Sequence, residues 1–451
     1  MANAEVALEH VDFLVLGAGT AGMVAAHRVA AAGRKVAVID PGPIGGLCSL
    51  RGCNPKKILV RATEVLDAMR AAGEHGISSA DARVDWSTTI DRKHHFTDPV
   101  PARARKSLEA SKIEYIAAAG RFAAPDRVTA GERLIAFEAA LIATGSTPRP
   151  LSFPGAEHLS TSDDLLDLRT PPRRMAIVGS GAVAFELGQA YARLGTEVHM
   201  LMRHAEALRR FEQDIVQPLL NVSRELGIEL HPNTETEAVE PDKTGYRIHL
   251  SGGQPLPADV VLNAAGRVPA VDTLDLPKAH VDYTDHGVKV NKYLRGPDNP
   301  RVFAAGDAHG RMQLSPIAGY EGRLVARNFL EGNVVTADYD PIPMALYTVP
   351  PLATVGLTQA EAEARELRFD TVHEDMSEWT VFAIEGSRRA AAKVLYEQES
   401  GRVLGAHLFG SRADEFINLF AMAMRYDIPR DRLREMVFTY PAFSSVVSSL
   451  L

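Results

Sequence analysis

The feature that most constrains this chain is a strand–glycine turn–helix unit that occurs twice. In the first copy, the apolar run Phe13–Leu16 precedes the glycine turn, and an alanine-rich helix and the apolar run Val36–Ile39 follow it. The turn residues are Gly17, Gly19 and Gly22 in the first copy and Gly179, Gly181 and Ala184 in the second. Strands that alternate with helices in this way favour an α/β fold with parallel sheets.

Glycine turns of this kind let a backbone approach a pyrophosphate, which then faces the first amide groups of the helix. Each copy follows a strand and opens a helix, so the sequence predicts two dinucleotide-binding domains. The second strand of the first copy ends in Asp40, whose carboxylate suits the ribose hydroxyls of FAD or NAD. The second copy has no acid there. It has Arg203 and His204, with Arg209 further on, and guanidinium groups suit the 2′-phosphate of NADPH.

Charge and composition argue against several binding partners and against secretion or membrane insertion. The net charge of the 451 residues is −8 and there is no long basic run, so we expect neither nucleic acid nor anionic membrane as a partner. No apolar stretch is long enough for a transmembrane helix, and the N-terminus does not resemble a signal peptide. We therefore expect a cytoplasmic protein.

The sequence has two cysteines, Cys48 and Cys53. A secreted disulfide framework would use more cysteines. A zinc site normally needs four ligands, and no second Cys or His pair lies nearby in the sequence at a zinc-binding spacing. We predict a redox pair and no metal site. A thiolate is the reactive form of cysteine, and a helix N-terminus lowers a thiol pKa from about 8.5.

At this segment, GGLCSLRGCNPKKILV, the chain resembles the pyridine nucleotide–disulfide oxidoreductase family, which includes glutathione reductase, lipoamide dehydrogenase and mercuric reductase. The matching residues are Gly45, Gly46, Cys48, Gly52, Cys53, Pro55 and Lys57. The resemblance extends from about Val11 to Leu451. It implies that Cys53 contacts the flavin as a charge-transfer thiolate and that Cys48 is the exposed thiol that attacks substrate. It also implies that Lys57 lies near the flavin and pairs with Glu186.

The resemblance also implies further site residues. FAD would contact Gly17, Gly19, Thr20, Gly22, Asp40, Gly46, Thr144, Gly145, Asp307 and Ala318. NADPH would contact Gly179, Gly181, Ala184, Glu186, Arg203, His204, Arg209 and Gly266. Arg323 matches an arginine that binds a glutathione carboxylate, whereas His27 falls where another substrate-binding arginine is expected.

From these features we predict an α/β protein with two Rossmann-like domains and a C-terminal α+β dimerisation domain. The predicted boundaries are 1–150 for the first part of the FAD domain, 151–268 for the NADPH domain, 269–338 for the second part of the FAD domain and 339–451 for the dimerisation domain.

The chain departs from the family near its C-terminus. The family has a His–Glu pair there, which the partner subunit supplies as the acid–base for the attacking cysteine, whereas this chain has Tyr440 and Ser445. A phenol is protonated at pH 7, so it can donate a proton but is a poor base. Three interpretations stay open: Tyr440 is a weaker acid, the acceptor needs no proton shuttle, or Tyr440 only packs.

The leading hypothesis is a homodimeric disulfide reductase that passes electrons from NADPH to FAD, to the Cys48–Cys53 disulfide, and to a low-molecular-weight disulfide of glutathione type. A second hypothesis keeps the flavin and changes the acceptor to a metal ion or a quinone. A third is a flavin-loaded redox sensor with little turnover.

Overall fold

The computed structural model describes residues 8–79 and 81–451. In chain order the strands are β1 Leu8–Leu16, β2 Val36–Ile39, β3 Glu114–Ile116, β4 Gly120–Ala124, β5 Arg127–Ala130, β6 Arg133–Ile142, β7 Ser146–Pro148, β8 Arg174–Val178, β9 Glu197–Leu201, β10 Glu229–His231, β11 Thr236–Asp242, β12 Gly245–Leu250, β13 Leu256–Ala258, β14 Val260–Asn263, β15 Arg267–Pro269, β16 Tyr283–Thr284, β17 Gly287–Val288, β18 Val302–Ala304, β19 Met344–Leu346, β20 Leu352–Gly356, β21 Phe369–Asp375, β22 Ala391–Glu397 and β23 Val403–Phe409.

The α-helices are α1 Thr20–Ala31, α2 Gly46–Leu50, α3 Cys53–Ala71, α4 Trp86–Thr97, α5 Pro99–Ala110, α6 Ser162–Asp167, α7 Ala182–Arg193, α8 Gln213–Glu225, α9 Ser315–Glu331, α10 Gln359–Ala364, α11 Thr380–Glu385, α12 Ala413–Arg425, α13 Arg430–Arg434 and α14 Val446–Ser449. Within the described ranges, none of these helices combines the length and the apolar character that crossing a bilayer requires.

The chain divides into two compact units. The first contains the residues up to Lys56 together with Asp91–Arg149 and Gly266–Asp338. The second contains Lys57–Ile90, Pro150–Ala265 and Tyr339–Leu451. The four domain boundaries given above stay predictions.

The first unit is built on a mainly parallel sheet. Its strands lie in the order β3-β2-β1-β6-β5-β4, and β18 pairs in parallel with the C-terminal end of β6. Both faces of β1 are buried: Leu14 and Leu16 belong to one apolar cluster, and Phe13 and Val15 belong to another. Burial on both faces explains why this strand reads as a continuous apolar run.

Helix α1 packs against helix α9 in the same unit, and small residues make the approach possible. A Cβ atom on Gly322 of α9 would lie 2.5 Å from the carbonyl oxygen of Ala21 in α1. Ala25 and Ala26 of α1 are fully buried. The alanine-rich composition of the predicted helix is therefore a packing requirement.

The second unit contains a parallel sheet, β10-β9-β8-β14, and a three-stranded antiparallel sheet, β11-β12-β13. Its C-terminal part is a five-stranded antiparallel sheet, β19-β20-β23-β22-β21, with α12 packed on it. These two kinds of sheet confirm the predicted α/β fold with a C-terminal α+β part.

The strands predicted at Phe13–Leu16 and Val36–Ile39 are confirmed, and the first of them begins earlier, at Leu8. The sequence pattern also predicts helices from about Lys57 to Ala72 and from Pro101 to Ser111. The first of these helices begins at Cys53, so the second cysteine is its first residue. The second begins at Pro99, where the fixed φ of proline suits a first turn.

The two glycine turns share one close backbone contact. Gly17 has a φ of +109°, and a Cβ atom there would lie 2.3 Å from the carbonyl oxygen of Ala143. Gly179 has a φ of +126°, and a Cβ atom there would lie 2.3 Å from the carbonyl oxygen of Ala264. Both positions therefore require glycine for space and for backbone conformation.

We predict that Gly179→Ala lowers the free energy of unfolding by at least about 2 kcal/mol, because the added methyl group meets a carbonyl and the φ is strained. Gly181 is the matched control. A Cβ atom there meets no atom of the described part of the chain within 4 Å, so Gly181→Ala should cost no more than about 0.5 kcal/mol. Urea denaturation measures both, and equal losses would contradict the steric argument.

Candidate active site

Both cysteines belong to the first unit and lie on two consecutive helices. Cys48 belongs to α2, and Cys53 is the first residue of α3. Both are free thiols; Cys48 is half-buried and Cys53 is exposed. The positive end of the α3 dipole therefore adjoins Cys53, which favours a negative charge at the pair. The division of roles between the two cysteines stays a prediction.

The two sulfurs share a proton. A hydrogen bond from Cys53 lowers the pKa of Cys48 to about 6, with help from the Ser315 hydroxyl and the charge of Lys56, although burial opposes the shift. The same hydrogen bond raises the pKa of Cys53. At neutral pH the pair therefore holds one thiolate, centred on Cys48, and one thiol.

Ser315 is a site residue that the sequence analysis missed. It is the first residue of α9, and its hydroxyl lies 3.4 Å from the Thr20 hydroxyl. No local sequence signal identifies it, because its position beside Cys48 depends on how α9 packs in the folded unit.

Lys57 and Glu186, which were predicted to pair, meet at Tyr347 in the second unit. The Lys57 Nζ lies 3.7 Å from the centre of the Tyr347 ring and 3.8 Å from an Asp414 carboxylate oxygen. The Glu186 Oε1 accepts a hydrogen bond of 2.8 Å from the Tyr347 amide. Tyr347 and Asp414 are further residues that sequence reasoning missed.

Glu186 belongs to a buried polar face of α7 that holds the backbone after β19. The Gln189 side chain accepts a 3.3 Å hydrogen bond from the Val349 amide. The Arg193 guanidinium donates a 2.7 Å hydrogen bond to the Val349 carbonyl. Because these residues are spaced for one helix face, α7 fixes the segment that carries Tyr347 beside Lys57.

The first glycine turn forms a cradle that FAD would fit. Asp40 accepts 2.7 Å hydrogen bonds from the amides of Ala18 and Gly42, which fix its carboxylate. A Cβ atom on Gly46 would lie 2.6 Å from the Cα atom of Gly19, so the backbones that begin α2 and α1 meet there. The buried Thr144 hydroxyl has no protein partner in the described residues, so it is available to a polar group of a ligand.

The other predicted FAD residues lie in the same unit. Asp307 accepts a 2.7 Å hydrogen bond from the Ser146 hydroxyl, and Arg267 donates to that hydroxyl at 3.0 Å. The buried carboxylate of Glu321 accepts a hydrogen bond from the Gly306 amide, which fixes the turn before Asp307. The remaining predicted contacts are Gly22 and Thr20 in α1, Ala318 in α9, and Gly145 after β6.

The second glycine turn has free space beside its second glycine, Gly181. Among residues 8–79 and 81–451, no atom lies within 4 Å of a Cβ atom built on Gly181, which has extended backbone and precedes α7. Ala184 is buried. Arg203, His204 and Arg209 are all exposed in the loop after β9. The Nε of Arg203 lies 3.7 Å from a Glu235 carboxylate oxygen. This exposed basic loop is chemically suited to a 2′-phosphate. Gly266, the last predicted contact, has a φ of +110°.

The two predicted substrate residues differ in charge. Arg323 is exposed on α9. The His27 ring lies between two hydroxyls, with Nδ1 3.0 Å from Ser111 and Nε2 3.1 Å from Ser107. Burial lowers the pKa of His27, so its imidazole is neutral at pH 7. A neutral ring does not supply the charge of an arginine, and a substrate role for His27 stays a prediction.

Tyr440 is 70% exposed near the C-terminus. The hydroxyl of Ser445, which stands at the position of the family's glutamate, donates a 2.6 Å hydrogen bond to the Ala442 carbonyl. Ser445 is thus part of a local turn, and the phenol of Tyr440 faces away from the chain's own core.

Comparison with known proteins matches nearly the whole chain. Residues 11–322 match the family described as pyridine nucleotide-disulphide oxidoreductase, and residues 342–450 match its dimerisation domain. The chain is 31% identical to glutathione reductase of Nostoc sp., with 96% of this chain and 97% of that protein covered. It is 30% identical to glutathione reductase of Burkholderia cepacia, with 92% of each covered.

A solved structure is also similar. It is the Cu(II) complex of the HOCl-induced flavoprotein disulfide reductase RclA from Escherichia coli, with a TM-score of 0.89 and 25% identity. The similarity covers 98% of this chain and 99% of that one.

We predict that Ser315→Ala raises the pKa of Cys48 above about 6, because the thiolate loses a hydrogen-bond donor. The pH dependence of iodoacetamide alkylation of the reduced protein, followed by peptide mass spectrometry, measures this pKa. The alkylation rate falls as the pH drops through the pKa, so the profile of the variant should shift to higher pH. Ser49→Ala is the control and should leave the profile in place; an unshifted profile in Ser315→Ala would contradict the assignment.

Proposed function

Because the chain belongs to the pyridine nucleotide-disulphide oxidoreductase family, we propose that it reduces a low-molecular-weight disulfide of glutathione type with electrons from NADPH. The observation that carries this proposal is the proton-sharing pair Cys48 and Cys53, in which hydrogen bonding lowers the pKa of Cys48 to about 6. The choice of a glutathione-type substrate follows the two glutathione reductases to which the chain is similar.

The chain is a flavoprotein disulfide oxidoreductase that uses FAD and NADPH. A bound FAD would supply one kind of chemistry, the transfer of two electrons from the hydride of NADPH to the Cys48–Cys53 disulfide. We assign the Asp40–Gly46 side of the first unit to FAD and the loop with Arg203, His204 and Arg209 to NADPH.

In the proposed cycle, the Cys48 thiolate attacks one sulfur of the substrate disulfide. The substrate S–S bond breaks, the first thiolate leaves and takes a proton, and the other half stays bonded to Cys48. Cys53 then loses its proton and attacks the sulfur of Cys48, which expels the second thiolate and restores the Cys48–Cys53 disulfide. The substrate gains two electrons and two protons; the hydride of one NADPH accounts for both electrons and one proton, and the second proton comes from the solvent.

Each leaving thiolate needs a proton donor, and we assign this role to Tyr440 of a second copy of the chain. Tyr440 is 70% exposed, and the neighbouring residues Met436 and Val437 are 51% and 97% exposed. Exposed apolar side chains in the part that matches the family's dimerisation domain support a homodimer. In that arrangement the tyrosine would reach the partner's cysteines.

A second acceptor is supported by a separate observation. The structurally similar RclA from Escherichia coli was solved as a Cu(II) complex. A metal ion that takes up electrons leaves no thiolate to protonate, so it would not need the acid–base pair that Tyr440 and Ser445 replace. Reduction of a divalent copper ion is therefore the alternative activity.

We predict that Cys48→Ser lowers disulfide reduction by at least about a thousandfold while NADPH still reduces the flavin, because a serine hydroxyl does not replace the thiolate. Steady-state NADPH oxidation with oxidised glutathione, other thiol disulfides, quinones and Cu²⁺ measures the first effect, and flavin bleaching measures the second. Ser49→Ala is the control. A Cys48→Ser protein that reduces its best acceptor at the full rate would exclude the dithiol route, and a parent enzyme without turnover on any acceptor would favour a sensor.

We predict that Tyr440→Phe slows disulfide turnover by about a hundredfold, the lower end of what a lost general acid costs. Flavin reduction by NADPH, followed by stopped flow, should stay unchanged, because it precedes the protonation step. Tyr426→Phe is the matched control, since Tyr426 is 71% exposed in the same unit. Equal turnover in Tyr440→Phe and the parent would leave Tyr440 with a packing role.

A further inference from the structure

A cluster of two histidines and two glutamates lies at the edge of the parallel sheet in the second unit. It comes from two Glu-x-His triplets, Glu197-Val198-His199 in β9 and Glu229-Leu230-His231 in β10. The strands are parallel neighbours, and Glu229 pairs with His199 in register. Because side chains alternate along a strand, both triplets place Glu and His on the same face.

Three of these side chains converge on one point. The Nδ1 atom of His199 lies 3.1 Å from the Nε2 atom of His231 and 3.3 Å from the Oε2 atom of Glu229. The Nε2 atom of His231 lies 3.7 Å from the same oxygen. A zinc ion with bonds of about 2.0–2.2 Å to nitrogen and oxygen separates tetrahedral ligand atoms by about 3.3 Å. The three separations match that spacing.

The fourth side chain of the cluster, Glu197, holds the outer nitrogen of His199, so that the other nitrogen faces His231 and Glu229. The Oε1 atom of Glu197 lies 3.0 Å from the Nε2 atom of His199. An ionised carboxylate only accepts hydrogen bonds, so Nε2 carries a proton, and in the neutral ring Nδ1 is then the nitrogen whose lone pair can bind a metal ion. A carboxylate on the outer nitrogen of a ligating histidine is a recurrent feature of metal sites, because it fixes the ring and raises its basicity.

Two imidazole nitrogens and one carboxylate oxygen therefore lie close enough together for each to offer a lone pair to a single cation between them.

We propose that His199, Glu229 and His231 bind a divalent transition-metal cation of the Zn²⁺ class, with Glu197 as a positioning residue. Two imidazoles and one carboxylate suit Zn²⁺ better than Mg²⁺ or Ca²⁺, which prefer oxygen ligands. The His199 side chain is 6% exposed and those of His231 and Glu229 are 29% and 63% exposed, so the ion has an anchored inner ligand and an open approach. Zinc binding here does not depend on which acceptor the enzyme reduces.

The test is titration of the full-length, FAD-loaded protein with ZnCl₂ by isothermal calorimetry, with metal content checked by mass spectrometry. The parent for this experiment is the Cys48→Ser, Cys53→Ser protein, so that the dithiol does not bind zinc. We expect one zinc per chain at this cluster. His231→Ala should lose this equivalent or weaken it at least about a hundredfold, and Glu197→Gln should weaken it by about 10–100-fold.

His249→Ala is the matched control, because His249 lies 3.1 Å from Glu240 in the same unit and outside the cluster. It should bind zinc as the parent does. The flavin spectrum and thermal melting check that each variant is folded. If His231→Ala does not fold, Glu229→Gln, which changes a more exposed ligand, is tested instead. A parent that binds no zinc, or equal binding in the ligand variants and in His249→Ala, would overturn the proposal.

Discussion

The contact on which both nucleotide-binding sheets depend joins a glycine to the end of a neighbouring parallel strand. In the first unit Gly17 lies so close to the carbonyl of Ala143, after β6, that a Cβ atom would clash with it, and in the second unit Gly179 lies equally close to the carbonyl of Ala264, after β14. A side chain at either glycine would push the turn away from the strand. The residue after Ala143 is Thr144, whose buried hydroxyl we predict to face FAD.

The chemistry of the dithiol depends on another glycine, Gly52, in the same way. A Cβ atom on Gly52 would lie 2.9 Å from the carbonyl oxygen of Leu47 and 3.3 Å from the Cα atom of Cys48. Glycine at this place lets the chain fold back between α2 and α3, which brings the Cys53 thiol within hydrogen-bonding reach of Cys48. The lowered pKa of Cys48 is thus a consequence of backbone shape. A thiol held apart from its neighbour would keep a pKa near 8.5.

The sequence was informative wherever local pattern determines structure. The strand Val36–Ile39 and the carboxylate of Asp40, which is held by backbone amides, follow from apolar runs and a turn. The start of α3 at Cys53 was missed because a helix end depends on a few capping groups. Ser315 and Tyr347 were missed for another reason: each reaches its neighbour only after distant segments have packed, and no spacing in the chain records that contact. Which residues hold each cofactor stays a prediction for the same reason.

The cluster of β9 and β10 shows how register decides whether a pattern becomes a site. Two Glu-x-His triplets are visible in the sequence, yet spacing alone does not say whether their polar faces meet. Val198 and Met200, which alternate with His199, are buried on the opposite face of β9. A shift of one residue in β10 would turn Leu230 toward the polar face and remove His231 from it, at the cost of exposing apolar surface. The hydrophobic core on one side of the sheet therefore fixes the positions of the metal-binding side chains on the other.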